Sequence, residues 1–182
     1  MLFRSAAQAL AYAGSDAAAW ILRLKIRLGD KEPEVIGECF TSLISLTPKE
    51  GVALTAEFLN SQDEALQELA VLALGESRLP EALERLKTAW KKAVETRLRE
   101  TLLTAIGLLR LAEGIDFLLE ILAEEDTAAG KAALSALAIH RHDERIRERA
   151  LAAAEKNGRR ELRAHVEEAF SLDESPQARR RR

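Results

Sequence analysis

The sequence predicts an all-α chain, an α-solenoid of about five and a half helix-turn-helix repeats, and three observations carry that reading. First, an apolar anchor recurs at Ala9, Leu43, Ala73, Ala105, Ala136 and Ala169, with separations of 34, 30, 32, 31 and 33 residues. The residue after each anchor is larger and apolar (Leu10, Ile44, Leu74, Ile106, Leu137, Phe170), and the next is small (Ala11, Ser45, Gly75, Gly107, Ala138, Ser171). Second, three residues before each anchor, on the same face of a helix with 3.6 residues per turn, stand Ala6, Phe40, Ala70, Leu102, Ala133 and Val166. Third, another apolar series, Val52, Leu83, Ile115 and Ile146, follows the anchors by nine or ten residues. A period in the low thirties that holds two amphipathic helices is that of stacked helix pairs, each of which buries its apolar face only against its neighbours. No stretch alternates with period two, so no sheet is expected.

The elements follow in order. Residues 3–13 form the first helix, whose polar stripe of Arg4, Ser5 and Gln8 is thin, so its outer face is poorly protected and open to docking. Ala11-Tyr12-Ala13 imitates a signal-peptide cleavage site, but Ser5 and Gln8 interrupt the apolar core such a signal needs, and a cytoplasmic protein is expected. Residues 16–28 form its pair, and the longest apolar run there, Ala17 to Leu22, is far too short to cross a bilayer. The helix of residues 33–45 holds Cys39, which reads as a buried structural thiol. The helix of residues 48–60 opens with Thr47-Pro48-Lys49-Glu50, an N-cap hydroxyl, a proline at the first helical position and a glutamate three after the cap. The same logic starts residues 63–75 at Ser61-Gln62-Asp63-Glu64 and residues 80–94 at Leu79-Pro80. Helices over 96–108, 112–124, 127–138, 143–156 and 159–170 complete the count of eleven, with Asp126 or Thr127 and Asp143 as caps. Gly75, Gly107 and Gly158 lie at or near helix ends, where a left-handed C-cap is easiest for glycine.

In the last helix the column Thr41, Val71, Leu103, Leu134 becomes Glu167, with Glu168 beside it. A terminal repeat needs such a polar outer face. The repeat domain is therefore expected to occupy residues 1–170 with 159–170 as its cap, and 171–182, ending in Arg179 to Arg182, reads as a disordered tail.

Stretches such as Asp63-Glu64-Ala65-Leu66-Gln67-Glu68-Leu69-Ala70-Val71-Leu72-Ala73-Leu74-Gly75, followed by Leu79-Pro80-Glu81-Ala82-Leu83, resemble HEAT repeats, and among these the bacterial HEAT-like repeats of the phycobilisome-lyase type. The resemblance covers about residues 3–170 and rests on structural positions. It implies a helical superhelix whose second helices line a concave surface. Relatives with such repeats include bilin lyases, whose activity no short motif here can be matched to. The di-iron hydroxylases of this kind use His-Glu dipeptides, whereas the histidines here read His140-Arg141, His142-Asp143 and His165-Val166. DNA glycosylases of this fold use a strongly basic, aromatic concave face.

Composition bounds the function. Charged residues make up 31% of the chain with a formal net charge of −3. That balance argues against a dedicated nucleic-acid binder, which shows a basic excess, although Arg23, Lys25 and Arg27 on one helix and Lys87, Lys91 and Lys92 on another are local basic groups. A single cysteine excludes an internal disulfide. Glycines are scattered, so no phosphate loop forms, and no nucleophile can be paired with a base. His140-Arg141-His142-Asp143 reads as a polar turn with an Asp cap, and Glu124-Glu125-Asp126 as a solvated turn. Trp20 and Trp90 lie on second helices and read as core, with a binding hot spot as the alternative. No cofactor and no metal are implied. The function expected is a non-enzymatic scaffold or adaptor that binds a protein or peptide, the alternative being an accessory lyase or chaperone-like protein for a small cofactor such as a bilin. Solvent-facing positions of the second helices place Glu57, Glu84, Asp116 and Glu120 on one wall, with Ala53 among their neighbours, and predict an acidic groove for a basic partner.

Overall fold

The computed structural model describes residues 2–170 and is all-helical over them. Eleven α-helices run in order: α1 (Leu2–Ala13), α2 (Asp16–Leu28), α3 (Pro33–Leu46), α4 (Pro48–Glu57), α5 (Glu64–Glu76), α6 (Pro80–Lys92), α7 (Thr96–Leu108), α8 (Ala112–Glu124), α9 (Thr127–Leu137), α10 (Glu144–Asn157) and α11 (Arg160–Ala169). The boundaries match those expected from the repeat columns to within two residues, except at α4, whose last turn tightens into a 3₁₀ segment at Phe58–Asn60. The tail expected over residues 171–182 lies outside the described residues.

The chain divides into two compact units, one ending at Gly114 and one beginning at Ile115. In the first unit α1, α3, α5 and α7 pack on one another in succession, and α2, α4 and α6 lie against them as the second members of the pairs. Phe40, Leu43, Leu74, Leu102, Leu103 and Ile106 are fully buried there. The glycine columns let the helices close up: a Cβ on Gly75 would stand 2.8 Å from the Ala105 Cα and 2.9 Å from its carbonyl oxygen, so α5 and α7 touch backbone to backbone. In the second unit α9 and α10 both pack against α11, and Leu134, Leu137, Leu162 and Val166 are buried.

Several local expectations change. In α1 the anchor phase sits one residue away from that of the other repeats: Ala7 is buried while Ala6 and Ala9 face solvent. Thr47 does not cap α4 with its side chain; its hydroxyl donates to the Leu43 carbonyl at 3.2 Å and so closes α3. The reason is local. One residue serves as the end of one helix and the start of the next, and its hydroxyl is already committed to the helix it ends. Gly75 and Gly107 lie inside helices and are buried, and of the three glycines named only Gly158 adopts the left-handed cap, with φ of 77°. In the turns after α5 and α7 the left-handed position is taken instead by Arg78 and Arg110. The aspartate caps form as expected: Asp63 accepts from the Ala65 and Leu66 N–H groups, Asp126 from Ala129, and Asp143 from Arg145 and Ile146.

Candidate functional site

The second helices carry the candidate surface, and ion pairs between successive repeats dominate its chemistry. Arg23 pairs with Glu50, Arg27 with Glu57 at 2.8 Å, Asp116 with Arg149 at 2.5 Å, and Glu124 with Lys156 at 3.0 Å. On the first helices Glu68 pairs with Arg97 at 3.3 Å and Lys131 with Glu161 at 2.5 Å. The partners stand 27 to 33 residues apart, about one repeat. Each pair is exposed enough to contribute on the order of 0–1 kcal/mol, so together they select which helix faces touch more than they hold them there.

This pairing redistributes the charge expected of an acidic wall. Glu57 is answered by Arg27 and Glu84 by Lys87 at 3.6 Å, both in the first unit. Asp116, in the second unit, is answered by Arg149, and Glu120 is exposed with no ion pair among the described residues. The same pairs engage the basic residues of α2, since Lys25 contacts Asp30 at 2.5 Å. The Glu32 N–H and the Lys25 ammonium hold the Asp30 carboxyl below the usual carboxylate range, and Lys131 does the same for Glu161.

Between α2 and α4 the surface opens into a trough of about 520 Å³. Trp20 and Leu24 on α2 and Ala53 and Leu54 on α4 supply its apolar lining, and the Arg23–Glu50 and Arg27–Glu57 pairs border it. Trp20 is therefore not core: it is 67% exposed, with the Arg23 guanidinium 5.4 Å from its ring centroid. The cause is the phase of α2, whose buried stripe is Ala18, Ala19, Leu22 and Ile26, leaving Trp20 on the opposite side. Trp90 is buried as expected, beneath the Arg99 guanidinium at 4.4 Å. Sequence reasoning placed Glu57 and Ala53 at this surface, favoured core for Trp20 with a binding hot spot as the alternative, and did not single out Leu24. The signal was present: α2 is apolar on both sides, which a helix with one buried face does not require.

No family model and no curated protein matches the chain. What can be said of the site therefore comes from its own geometry. Cys39 is buried, and desolvation pushes its thiol up to about 11, which keeps it protonated and unreactive at neutral pH. Asp143 in the His140-to-Asp143 turn is engaged as the cap of α10, and Glu124 and Asp126 are engaged as an ion-pair partner and the cap of α9. Among the described residues no group of three His, Cys, Asp or Glu side chains is arranged to hold a metal ion. No described helix is long and apolar enough to cross a membrane.

Proposed function

We propose that the helix pairs are HEAT-like units of an α-solenoid, and that the chain is a non-enzymatic scaffold that binds a protein or peptide along its second helices. The observation that carries this reading is the trough between α2 and α4, where an exposed tryptophan and leucine lie beside paired arginines and glutamates. Trp and Arg are both among the residue types enriched at interface hot spots. The bordering charges favour an amphipathic segment with apolar side chains over Trp20 and Leu24, basic groups toward Glu50 and Glu57, and acidic groups toward Arg23 and Arg27. Because exposed ion pairs are weak, such a segment displaces them at little cost. Within the second unit Glu120 is exposed with no ion pair among the described residues, and its negative charge raises the association rate of a basic partner.

Two variants test the proposal against the partner recovered by affinity capture. Trp20→Ala should weaken binding by about 10-fold or more, as loss of a central aromatic anchor does. Reversal of Glu84, Asp116 and Glu120 to Lys should weaken it at low ionic strength and much less in high salt. Binding unchanged by Trp20→Ala would remove the trough from the account, and binding unchanged by the triple reversal would remove the preference for a basic partner.

A further inference from the structure

The trough between α2 and α4 has walls of opposite charge. Its lining on α2 is Trp20, Arg23, Leu24 and Arg27, and on α4 it is Glu50, Ala53, Leu54 and Glu57. Both sets have the spacing of three, four and seven residues that keeps side chains on one face of a helix, so each wall is a single stripe about 10 Å long, two turns of helix. Every charge on the α2 wall is positive and every charge on the α4 wall is negative. Arg23 pairs with Glu50 and Arg27 with Glu57, earlier with earlier and later with later, so the two walls run in the same direction.

The walls decide the backbone form of an occupant. Both are helical, so their N–H and C=O groups bond along their own helix and offer no edge to pair with. An extended segment laid on Trp20, Leu24 and Leu54 would leave its own N–H and C=O groups against apolar surface without partners. A helix arrives with its backbone already bonded, and over two turns it presents one apolar stripe to the floor.

The walls also decide the occupant's charges. Arg23 and Arg27 reach across to α4, so a segment seated on the floor parts them from Glu50 and Glu57. The Arg23 side chain is only 26% exposed and leans on the Trp20 ring, and an unanswered charge there costs more than one in open water. A wholly acidic occupant answers the α2 wall and repels the α4 wall, and a wholly basic one does the reverse. A helix with acidic residues along one flank of its apolar stripe and basic residues along the other replaces both halves of each pair. Turning that helix end for end exchanges its flanks, so it fits in one direction alone.

We propose that the trough is a socket for an amphipathic helix of a partner protein, acidic along one flank and basic along the other, and that the charged walls fix the direction in which this helix lies. The proposal rests on the trough being the binding surface, and the experiment separates the two.

Three labelled synthetic peptides of about 18 residues, long enough to be partly helical alone, test it on the whole chain by fluorescence anisotropy at about 0.15 M salt. All carry one leucine stripe; the first has Glu along one flank and Lys along the other, the second Glu on both flanks and the third Lys on both. The mixed peptide should bind about 10-fold or more tighter than either of the others. Glu50→Arg with Glu57→Arg, at exposed positions of α4 where Arg is a good helix former, makes both walls basic and should transfer the tightest binding to the all-Glu peptide, with the far-UV circular dichroism unchanged. Arg23→Glu with Arg27→Glu should transfer it to the all-Lys peptide. A proline at the centre of the mixed peptide, which breaks its helix, should abolish binding. A photo-crosslinker at the N-terminus of the mixed peptide should mark one end of α2 and α4, and the opposite end when its Glu and Lys flanks are exchanged, as read by mass spectrometry. Equal affinity for the three peptides, no binding of the mixed peptide at about 500 µM, an order unchanged in both reversed-wall variants, undiminished binding of the proline peptide, or the same end marked by both flank isomers would each overturn the proposal. Trp20→Ala keeps it apart from the reading beneath it. Loss of native partner capture in that variant, with no flank preference among the peptides, leaves the trough standing and removes the directed helix. Capture and mixed-peptide binding both unchanged remove the trough itself.

Discussion

Replacing a helical glycine by alanine should have opposite effects at two sites in this protein. In both Gly75 in α5 and Gly130 in α9, alanine gains about 1 kcal/mol of helix propensity. At Gly75 the new methyl would meet the Ala105 Cα at 2.8 Å, its Cβ at 2.9 Å and its carbonyl oxygen at 2.9 Å. Carbon atoms prefer about 3.5–4.0 Å, so α5 and α7 must separate by roughly 0.7 Å or more along much of their contact. Overpacking against side chains costs about 1–3 kcal/mol, and here the obstacle is backbone that cannot rotate away. With backbone as the obstacle the cost lies at the upper end of that range and outweighs the propensity, so Gly75→Ala should destabilise the first unit by about 1–2 kcal/mol. At Gly130 the contacts are the Leu162 Cδ atoms at 3.1 Å, the far end of a flexible side chain, with the Leu122 Cδ1 at 3.7 Å. A small rotation of Leu162 makes room, so Gly130→Ala should be neutral or stabilising by up to about 1 kcal/mol. Urea denaturation followed by tryptophan fluorescence reports the first unit, since both tryptophans lie in it, and circular dichroism reports all the helices. A Gly75→Ala protein at least as stable as the wild type would refute the close approach of α5 and α7.

Two further outcomes follow from burial and charge. Leu118 is fully buried in α8, so Leu118→Ala should cost about 2–5 kcal/mol in chemical denaturation, and a loss below about 0.5 kcal/mol would mean that its side chain does not fill the space it occupies here. Asp30 and Glu161 bind their protons less tightly folded than unfolded, because the Glu32 N–H, Lys25 and Lys131 favour the charged forms. Their contribution is therefore complete above about pH 4–5 and lost as pH falls through the lowered folded values. A melting temperature that does not fall below about pH 4 in wild type, or falls equally in Asp30→Asn with Glu161→Gln, would contradict that.

The helices were legible because their signals are local. A proline at the first helical turn, an aspartate cap and apolar spacing at three and four residues each need no knowledge of the partner helix. Trp20 was misread because that knowledge is what its position requires: α2 offers an apolar stripe on either side, and only the placement of α3 and α4 decides that Leu22 and Ile26 are core and Trp20 is not. Gly75 was misread for a related reason. A glycine near a helix end serves equally as a left-handed terminus or as a gap for a neighbouring backbone, and the second use is set by Ala105, thirty residues away. The acidic wall was drawn from one helix at a time, whereas Glu57 and Asp116 are answered one repeat away, by Arg27 and Arg149. A search for opposite charges one period apart would have found those pairs.

A repeated architecture makes its own departures informative, because equivalent positions face equivalent structural demands. Ion pairs between successive second helices run in both senses: α4 offers Glu50 and Glu57 to Arg23 and Arg27 of α2, whereas α10 offers Arg149 and Lys156 to Asp116 and Glu124 of α8. Nothing in the packing of α2 against α3 requires Ala17 and Leu24 where α4 has Glu50 and Glu57, since the side of α2 that packs inward is Ala18, Ala19, Leu22 and Ile26. Helix α11 departs in the other direction, placing Glu167 and Glu168 in solvent where Val71, Leu103 and Leu134 are buried. On α2 the exposed apolar residues run from Leu28 to Trp20, and Trp20 and Leu24 among them line the trough. Where α4 meets α2 with carboxylates, α2 itself turns apolar side chains to solvent, so the residues that depart from the repeat are also the ones the proposed partner would meet.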